Sequence, residues 1–372
     1  MKEMKVHLLV GNLPLYTELF EHPPKGIKYL GKPTKGVKEY YSKINWLKRK
    51  FLLYFNKVCK LPRMMYVFTN ADLIHSNRGI CILNRKPWVI DMDHASAFVG
   101  FNHETWKNLR YRGVVKRFLL SKYCKKIMAW STAAKHSLLN SFPKNERLKE
   151  KIEVLYPATL YYKIRKSKNE VLTLLFVGSL FKEKGGQEVL ESFKILRKRY
   201  DLRLLIKADV PTNLKRKYNF KEIEYFSYKH EILSRIELLK KFFAKADIFV
   251  YPTYFDIFGL CLLDALATGL PIVATNVFAV PEIVEDGKGG FLINSPIKWH
   301  DETYLWNPTP FSIKRRKIVV NQLVNKLSML IENSFLRKKM SRYNKKLVVK
   351  GKFSIKERNK KLKKIYEESV KI

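Results

Sequence analysis

Cysteine is scarce in this sequence, and the cysteines present do not form a recognisable site. There are four of them, at Cys59, Cys81, Cys124 and Cys261, with no C-x-x-C pair. This spacing argues against a zinc site and against a disulfide framework. Unpaired cysteines are typical of proteins in a reducing compartment, so we expect the protein to be cytoplasmic.

Long apolar runs are also missing. No uninterrupted apolar stretch approaches the roughly 20 residues that span a bilayer, and the first apolar run is too short for a signal peptide. Hydrophobic residues nevertheless make up 46% of the 372 residues, and glycine and proline number only 16 and 15. This length and composition support two folded domains rather than a disordered chain. We expect a protein that can touch a membrane but does not cross one.

Acidic residues are few relative to basic ones. The sequence has 33 Asp and Glu against 73 Lys and Arg, a formal net charge of +40. This excess favours anionic partners, namely nucleic acid, an anionic membrane face or phosphorylated substrates. Because lysine-rich compositions are also common in proteins from hot environments, habitat can account for part of the excess. One stretch, residues 105–126, carries eight basic residues and no acidic one.

A second basic stretch, residues 35–63, has the pattern of an amphipathic helix. Ile44, Leu47, Phe51 and Val58 recur at helical spacings with lysines and arginines between them. A basic amphipathic helix with aromatic residues can lie in a membrane interface. In the alternative interpretation the apolar stripe packs on a sheet and the lysines are solvated, as in most surface helices of globular domains.

The rest of the chain is organised around residues 251–293. An apolar strand ends at Pro252, a loop follows, and a helix is predicted from about Gly259 to Thr268, where a Gly-Leu-Pro sequence ends it. A second apolar strand begins at Ile272. This strand, loop, helix and strand form the repeating unit of a doubly wound parallel sheet.

Two carboxylates frame this loop and helix. Asp256 precedes the helix and Asp264 lies about two turns further on, so the two side chains can hold different parts of one extended ligand. Between them, the backbone N–H groups near Gly259 and Leu260 form a site for an anion such as a diphosphate. In the alternative interpretation, Asp256 is a helix N-cap and Asp264 is a solvated residue of the helix.

The same segment resembles the donor-binding signature of the retaining GT-B glycosyltransferases of the family 4 type (glycosyl transferases group 1). The family pattern E-x-F-G-x-x-x-x-E-A-x-A-x-G-x-P-V reads D-I-F-G-L-C-L-L-D-A-L-A-T-G-L-P-I here, with Asp256 and Asp264 in the two Glu positions. The family stretch P-E-I-V-x-D-G-x-x-G-x-L matches residues 281–292. The stretch F-V-G-R-L-x-x-x-K-G matches residues 176–185, with Ser179 in place of the arginine.

The resemblance implies an α/β fold of the GT-B class, in which two doubly wound Rossmann-like domains face a central cleft. It places an N-terminal, acceptor-side domain at residues 1–162 and a C-terminal domain that binds the nucleotide-sugar at residues 163–350. A C-terminal helix at residues 351–372 is expected to pack back on the first domain. The polar run at residues 163–170 has the composition of a linker.

The resemblance also implies a donor site in the second domain. Lys184 falls on the family position that binds the donor diphosphate, Asp256 on the position for the sugar hydroxyls, and Asp264 on the position for the ribose. Because Ser179 replaces a family arginine, one cation is missing, and Lys182 is a candidate to replace it. The implied catalytic residues are His94, Asp256 and Lys184. The implied donor-binding residues are Gly11, Gly178, Ser179, Lys184, Asp256, Phe258, Gly259, Leu260 and Asp264.

Two motifs of the first domain are less specific. Gly11 follows the first predicted strand, where the family has a glycine-rich loop that faces the diphosphate. Asp91-Met92-Asp93 follows another apolar strand, and a D-x-D sequence can be the metal site of the other large glycosyltransferase fold, GT-A. The resemblance instead makes the next residue, His94, a loop histidine that contacts the donor sugar. The alternative is a histidine with a purely local hydrogen bond.

These patterns support three hypotheses of function. The first is a retaining hexosyltransferase that moves a hexose from a nucleotide-diphospho-sugar to a saccharide or lipid-linked acceptor at the membrane surface, without a metal or cofactor. The second is a basic nucleic-acid-binding protein, although no recognisable binding motif accompanies the charge. The third is a GT-B-shaped protein without catalytic activity, since both acids and one basic position depart from the family pattern.

Overall fold

A computed structural model describes residues 3–9, 14–31, 61–162, 164, 170–231, 233–296 and 313–371. Over these ranges the chain divides into two compact units. The first runs to Ala158 and includes the last helix, from Ile355; the second runs from Thr159 to Ser354. Gly11 and nearly all of the predicted helix over residues 35–63 lie outside the described residues.

The first unit is built on a parallel sheet of six strands in the order β2-β1-β4-β6-β7-β8, with β3 and β5 forming a separate two-stranded sheet. The strands are β1 Met4–Leu8, β2 Ile27–Leu30, β3 Met64–Met65, β4 Leu73–Ser76, β5 Cys81–Ile82, β6 Trp88–Met92, β7 Cys124–Ala129 and β8 Ile152–Val154. Both β4 and β6 are buried along their whole length, as expected of parallel strands covered by helices on both faces.

The helices of this unit begin where the sequence offers capping side chains. Those before residue 158 are α1 Pro14–Glu21, α2 His103–Lys107, α3 Leu109–Leu119, α4 Thr132–Ser141 and α5 Glu146–Lys151, with a short 3-10 helix at Ala95–Val99. The Asn108 side chain accepts a hydrogen bond from the first turn of α3, and the Ser131 side chain does the same for α4. Asn and Ser are favoured at such positions because their oxygens satisfy N–H groups that lack a helical partner.

The second unit is built on another parallel sheet of six strands, in the order β11-β10-β9-β12-β13-β14. Its strands are β9 Leu172–Val177, β10 Leu202–Lys207, β11 Ile223–Phe226, β12 Ile248–Tyr251, β13 Ile272–Thr275 and β14 Gly290–Ile293. Its helices are α6 Gly186–Leu196, α7 Thr212–Lys217, α8 Arg235–Lys241, α9 Leu260–Thr268, α10 Val280–Ile283, α11 Ile313–Glu332 and α12 Ser334–Val349, with a 3-10 helix at Phe243–Lys245. The predicted doubly wound architecture is therefore confirmed in both units.

The strand order of the second unit fixes where a ligand can bind. Its first strand in sequence, β9, lies between β10 and β12, and Phe249 of β12 pairs with Leu175 of β9 in parallel. The chain winds outward from this pair in opposite directions, which makes it the topological switch point. In open α/β sheets, ligands bind outside the carboxyl ends of the strands at that point.

The last helix, α13 Ile355–Val370, is held in the first unit by buried polar groups. The Tyr366 hydroxyl lies 2.5 Å from His75 Nδ1 and 3.1 Å from the Tyr29 hydroxyl. His75 Nε2 in turn lies 3.0 Å from Asp91 Oδ2. The chain thus returns to its first unit, as predicted. Within the described ranges, no helix combines the length and the apolar character that crossing a bilayer would require.

Candidate functional site

Two loops of the second unit meet at the switch point of its sheet. One follows β9 and runs from Gly178 to Gly185, and the other follows β12 and runs from Pro252 to Gly259. Because β9 and β12 are parallel neighbours, their carboxyl ends and the loops that follow lie side by side. This arrangement brings Lys184 close to Asp256 and to the start of α9, although Lys184 is distant from both in sequence.

The glycines of the first loop allow the two loops to approach closely. Gly185 has a φ of +75°, and a Cβ at this position would lie 2.2 Å from the carbonyl oxygen of Pro252. Only glycine meets both conditions, the left-handed backbone and the missing side chain. A backbone hydrogen bond of 2.9 Å from the Tyr254 N–H to the Glu183 oxygen joins the loops on either side of Lys184. Lys184 is therefore held by backbone geometry and not by its own side chain alone.

An ion pair between Lys184 and Asp256 connects the two loops. Lys184 Nζ lies 2.7 Å from Asp256 Oδ2 and donates a second hydrogen bond of 2.8 Å to the Phe255 carbonyl oxygen. The two side chains are 11% and 19% exposed, so the pair is largely buried but not sealed from solvent. An ammonium group has three donors, and a phosphate oxygen can accept from the third.

Asp256 is oriented by two further donors. The Tyr251 hydroxyl donates to Asp256 Oδ2, and the Gly259 N–H donates to Oδ1 over 3.1 Å. Burial, followed by the charge of Asp256, raises the pKa of Tyr251 well above its ordinary value, so the phenol stays protonated and remains a donor. Asp256 does not itself cap α9, because the N-cap residue is Gly259. The N-cap interpretation of Asp256 is wrong in that detail.

The helix that follows presents its N-terminus at the same place. Gly259 has a φ of +84° and gives way to α9, which has nine residues and ends at Gly269 with a φ of +69°. The helix therefore spans the predicted residues. Backbone N–H groups of a first helical turn lack partners within the helix and carry part of its positive dipole. Leu260 is partly exposed and Phe258 is buried beneath the loop.

Asp264 is buried on α9 and forms an ion pair with an arginine that the sequence analysis did not select. Arg235 Nε donates to Asp264 Oδ1 over 2.8 Å, and the two side chains are 17% and 11% exposed. Burial raises the pKa of the Asp264 carboxyl, and the charge of Arg235 opposes that rise. The interpretation of Asp264 as a solvated helix residue is therefore wrong.

The remaining predicted donor-site residues lie at different depths. Gly178 is buried, and a Cβ there would come within 3.1 Å of Lys184 Cγ. Ser179 and Lys182 are exposed. The loop therefore carries Lys182 on its outer side, and its proposed role in place of the family arginine stays a prediction.

His94 belongs to the first unit, where its ring makes local hydrogen bonds. The side chain is buried, and Nδ1 accepts a hydrogen bond of 3.1 Å from the Ser96 N–H at the start of the 3-10 helix. The same atom lies 3.0 Å from the Ser96 hydroxyl. These contacts give His94 a local capping role, and its role toward the donor sugar stays a prediction.

The two aspartates before His94 are each engaged by a different partner. Asp91 Oδ2 faces His75, whereas Asp93 Oδ2 accepts a hydrogen bond of 2.8 Å from Arg78 Nε. Across the described part of the chain, no group of three or more His, Cys, Asp or Glu side chains is placed to hold a metal ion. The D-x-D sequence therefore forms two separate pairs.

Sequence reasoning missed Tyr251 and Arg235. Tyr251 is the last residue of β12, and no sequence motif indicates that its hydroxyl reaches Asp256 five residues later. Arg235 follows Ser234 in an S-x-x-E capping box, a signal that predicts the start of a helix. It carries no information on which carboxylate the arginine would reach.

Comparison with known proteins shows what the second unit is similar to. Residues 171–303, which contain Lys184 and both aspartates, match the model of the family described as glycosyl transferases group 1. The match includes the signature with Asp in both Glu positions.

Relatives extend the similarity beyond the matched domain. The chain is 26% identical over 215 residues to the capsular polysaccharide biosynthesis glycosyltransferase CapM of Staphylococcus aureus, covering 52% of this chain and 55% of CapM. It thus spans about half the length of the first curated relatives it matches. An uncharacterized glycosyltransferase of Methanocaldococcus jannaschii is 27% identical over 98% of this chain and 90% of its own length.

Solved structures of glycosyltransferases have a similar fold. The structure of HepE from Anabaena in complex with UDP-glucose has a TM-score of 0.59 with this chain, at 11% identity, and covers 98% of this chain and 99% of HepE. The fold of the chain is that of the GT-B glycosyltransferases, as predicted.

The burial of Asp264 predicts a specific dependence of stability on pH. A carboxyl whose pKa is raised by folding stabilises the protein below its unfolded pKa of about 3.9, and that contribution is lost as the pH rises through the raised value. Asp264→Asn removes this titration, while Arg235 stays charged throughout. We therefore expect the free energy of unfolding of the variant, relative to wild type, to increase from about pH 4 upward and then level off.

Urea unfolding at a series of pH values measures this difference. The matched control is Asp201→Asn, which removes an exposed carboxylate of the same unit and should give a flat difference. A difference for Asp264→Asn that falls as the pH rises would show that Arg235 outweighs burial at this site.

Proposed function

We propose that the chain is a retaining glycosyltransferase that moves a hexose from a nucleotide-diphospho-sugar to an acceptor. The observation that carries the proposal is the convergence of Lys184, Asp256 and the N-terminus of α9 at the switch point of the second sheet. This convergence lies inside the region that matches the group 1 family. HepE, which shares the fold, has been solved with UDP-glucose, and that supports a nucleotide-sugar as the donor here.

The chemistry requires stabilisation of a leaving diphosphate. When the bond between the anomeric carbon and the diphosphate oxygen breaks, negative charge develops on the phosphate oxygens. Preorganised positive groups lower the barrier most when they are in place before the charge develops. Lys184 is fixed by its ion pair and its bond to the Phe255 carbonyl, and the first turn of α9 adds N–H donors and the helix dipole.

The two aspartates hold the two ends of the donor in this proposal. Asp256, oriented by Lys184 and Tyr251, accepts hydrogen bonds from hydroxyls of the transferred sugar. Asp264 accepts from the ribose hydroxyls, about two helical turns away. The family resemblance implies that His94 contacts the donor sugar, and we include that role in the proposal. Because Lys184 and the helix terminus supply the positive charge, we propose that the transfer needs neither a metal ion nor a cofactor.

Loss of Lys184 or Asp264 should weaken donor binding without unfolding the protein. A charge-assisted hydrogen bond contributes about 1.5–3 kcal/mol, so Lys184→Ala and Asp264→Ala should each raise the Kd for the nucleoside diphosphate roughly 10- to 150-fold. Calorimetric titration with UDP and GDP gives the Kd values. Lys194→Ala, which removes an exposed lysine of the same unit, is the control and should bind as wild type does.

Turnover separates an enzyme from the two alternatives. Purified wild type should slowly hydrolyse UDP- or GDP-sugars in the absence of acceptor, with the released sugar retaining its anomeric configuration by NMR. A protein of GT-B shape without activity would bind nucleotide and release no sugar. A nucleic-acid-binding protein would do neither. If Lys184→Ala and Asp264→Ala both bind UDP and GDP as tightly as wild type does, the donor site has been assigned to the wrong residues.

His94 should affect turnover more than affinity for the free nucleotide, because its proposed partner is the sugar. His94→Ala removes both the ring and the cap on the 3-10 helix, whereas His94→Asn keeps a capping oxygen, which Asn supplies well. We expect both variants to lose about 100-fold in turnover, the size of effect that misplacing a reacting group can have, with the Kd for UDP nearly unchanged. Wild-type turnover by His94→Asn would reduce His94 to a local cap.

We further propose that the acceptor is lipid-linked and that the first unit meets an anionic membrane. The support is the basic face of the first unit. On α3, Tyr111, Val115 and Leu119 are buried while Arg110 and Arg117 are exposed, so the helix keeps its apolar side in the core and presents cations to solvent. The basic stretch over residues 35–63 adds further charge in the sequence.

Vesicle binding tests this part of the proposal. Each Lys or Arg near an anionic surface contributes about 1 kcal/mol, so a few engaged residues are enough to localise the protein. Co-sedimentation with anionic vesicles should be strong at about 0.1 M salt and should fade toward about 1 M, because the screening length falls from about 10 Å to about 3 Å. Neutral vesicles are the control. Equal pelleting with both vesicle types, or none with either, would point to a soluble acceptor.

A further inference from the structure

The ion pair between Arg235 and Asp264 has no counterpart in the signature that predicted Asp264. We infer that Arg235 is a positioning residue of the donor site, which keeps the Asp264 carboxylate ionised and oriented for the two ribose hydroxyls of the donor nucleotide. The inference rests on the proposed function, since it assumes that Asp264 faces the ribose. It adds a residue 29 positions away in sequence and assigns it a measurable effect.

The backbone of Arg235 is fixed before its side chain reaches the site. Ser234 caps α8, and its hydroxyl and the Glu237 side chain form a reciprocal capping box. The loop before it is anchored by Lys207, which is 2% exposed and donates to the carbonyl oxygens of Ser227 and Glu231 over 2.5 and 2.8 Å. Arg235 thus extends from a rigid start of a helix, which is how a positioning group is held in place.

The guanidinium group of Arg235 contacts the Asp264 carboxylate and also reaches Thr159. Nε lies 2.8 Å and Nη2 lies 2.6 Å from Asp264 Oδ1, and Nη2 also donates to the Thr159 hydroxyl over 2.5 Å. With Oδ1 engaged in this way, the carboxylate cannot rotate about its own bond without losing both contacts. Oδ2 is the other oxygen of the same group, and it supplies lone pairs for the ribose hydroxyls.

The ionised form of Asp264 suits ribose binding, because both ribose hydroxyls can then donate hydrogen bonds to the carboxylate. An ionised carboxylate only accepts, whereas a protonated one donates its own hydrogen and accepts more weakly. Burial favours the protonated form of Asp264, and Arg235 opposes it. The shorter arm of aspartate adds to the need, since Asp264 stands where the family pattern has glutamate. The guanidinium group of Arg235 holds this shorter side chain in one position.

A purely structural ion pair would make a different prediction. It would join α8, α9 and Thr159, and its loss would lower stability and all nucleotide affinities together. A positioning residue for the ribose instead affects the preference for ribonucleotides over deoxyribonucleotides. The decisive quantity is therefore the ratio of two Kd values measured on the same variant.

The experiment uses calorimetric titration of the full chain. UDP, GDP and ADP are titrated into wild type first, and the 2′-deoxy and 2′,3′-dideoxy analogues of the tightest binder follow. We expect wild type to prefer the ribonucleotide by about tenfold or more, the effect of losing a hydrogen bond to a charged group. In Arg235→Ala the ribonucleotide should weaken at least tenfold, the deoxy analogues should weaken much less, and the ratio should fall toward one. Arg235→Lys, which keeps the charge without the planar fork, should lie between.

Two further variants secure the interpretation. Arg203→Ala removes an arginine of the same unit whose ion pair with Glu224 is exposed, and it should leave both Kd values unchanged. Asp264→Asn with Arg235→Ala leaves no buried unpaired charge, so it should fold even where Arg235→Ala alone does not. Because Arg235 acts through Asp264, the double variant should bind the ribonucleotide no more weakly than Asp264→Asn alone.

The outcomes separate this inference from the proposed function. If wild type binds none of the nucleoside diphosphates, the donor site is wrong and the inference falls with it. If wild type binds and prefers the ribonucleotide, but Arg235→Ala keeps that preference, the inference alone is overturned. Additive losses in the double variant would overturn it as well, since they would show that Arg235 acts independently of Asp264.

Discussion

The ion pair between Lys184 and Asp256 determines the geometry of the candidate site. It joins two loops whose contacting residues lie 71 positions apart in sequence, and it does so at the switch point of the sheet, where ligands bind in open α/β folds. Gly185 makes the approach possible, because any side chain there would collide with the Pro252 carbonyl. The cation proposed to face a diphosphate and the anion proposed to face a sugar thus position each other.

Other buried acidic side chains of this very basic protein are also paired with basic side chains. A buried charge is tolerated only when it is paired and hydrogen-bonded. Glu188 is buried, and it accepts from the Tyr254 hydroxyl over 3.0 Å and from Arg316 Nε over 3.2 Å. Asp93 has Arg78 and Asp264 has Arg235. In a chain with 73 basic residues, a cation is readily available to each of these carboxylates. Asp256 and Asp264 differ from these other acids in their position. Asp256 lies in the loop at the switch point, and Asp264 lies on the helix that follows it.

Local sequence predicted the elements whose boundaries depend on local chemistry. The end of α9 followed from Gly269. The helices α11 and α12 were not predicted, although α11 buries Val319, Leu323 and Leu327 at helical spacing, because the family resemblance that guided the prediction is thin in this region. The contact of Arg235 with Asp264 could not be predicted for a different reason. It depends on how α8 and α9 are placed by a sheet whose order is a tertiary property.

The two shortened acids are best understood together. Replacing Glu by Asp at a signature position shortens the side chain by one methylene and so reduces its reach toward a ligand. In this protein both positions are shortened, and each carboxylate is held by a side chain that the signature does not specify, Tyr251 for Asp256 and Arg235 for Asp264. Fixing a shorter side chain lowers the entropy lost when a ligand binds. In this variant signature, the two carboxylates are shorter than in the family pattern, and each is held in place by a neighbouring side chain.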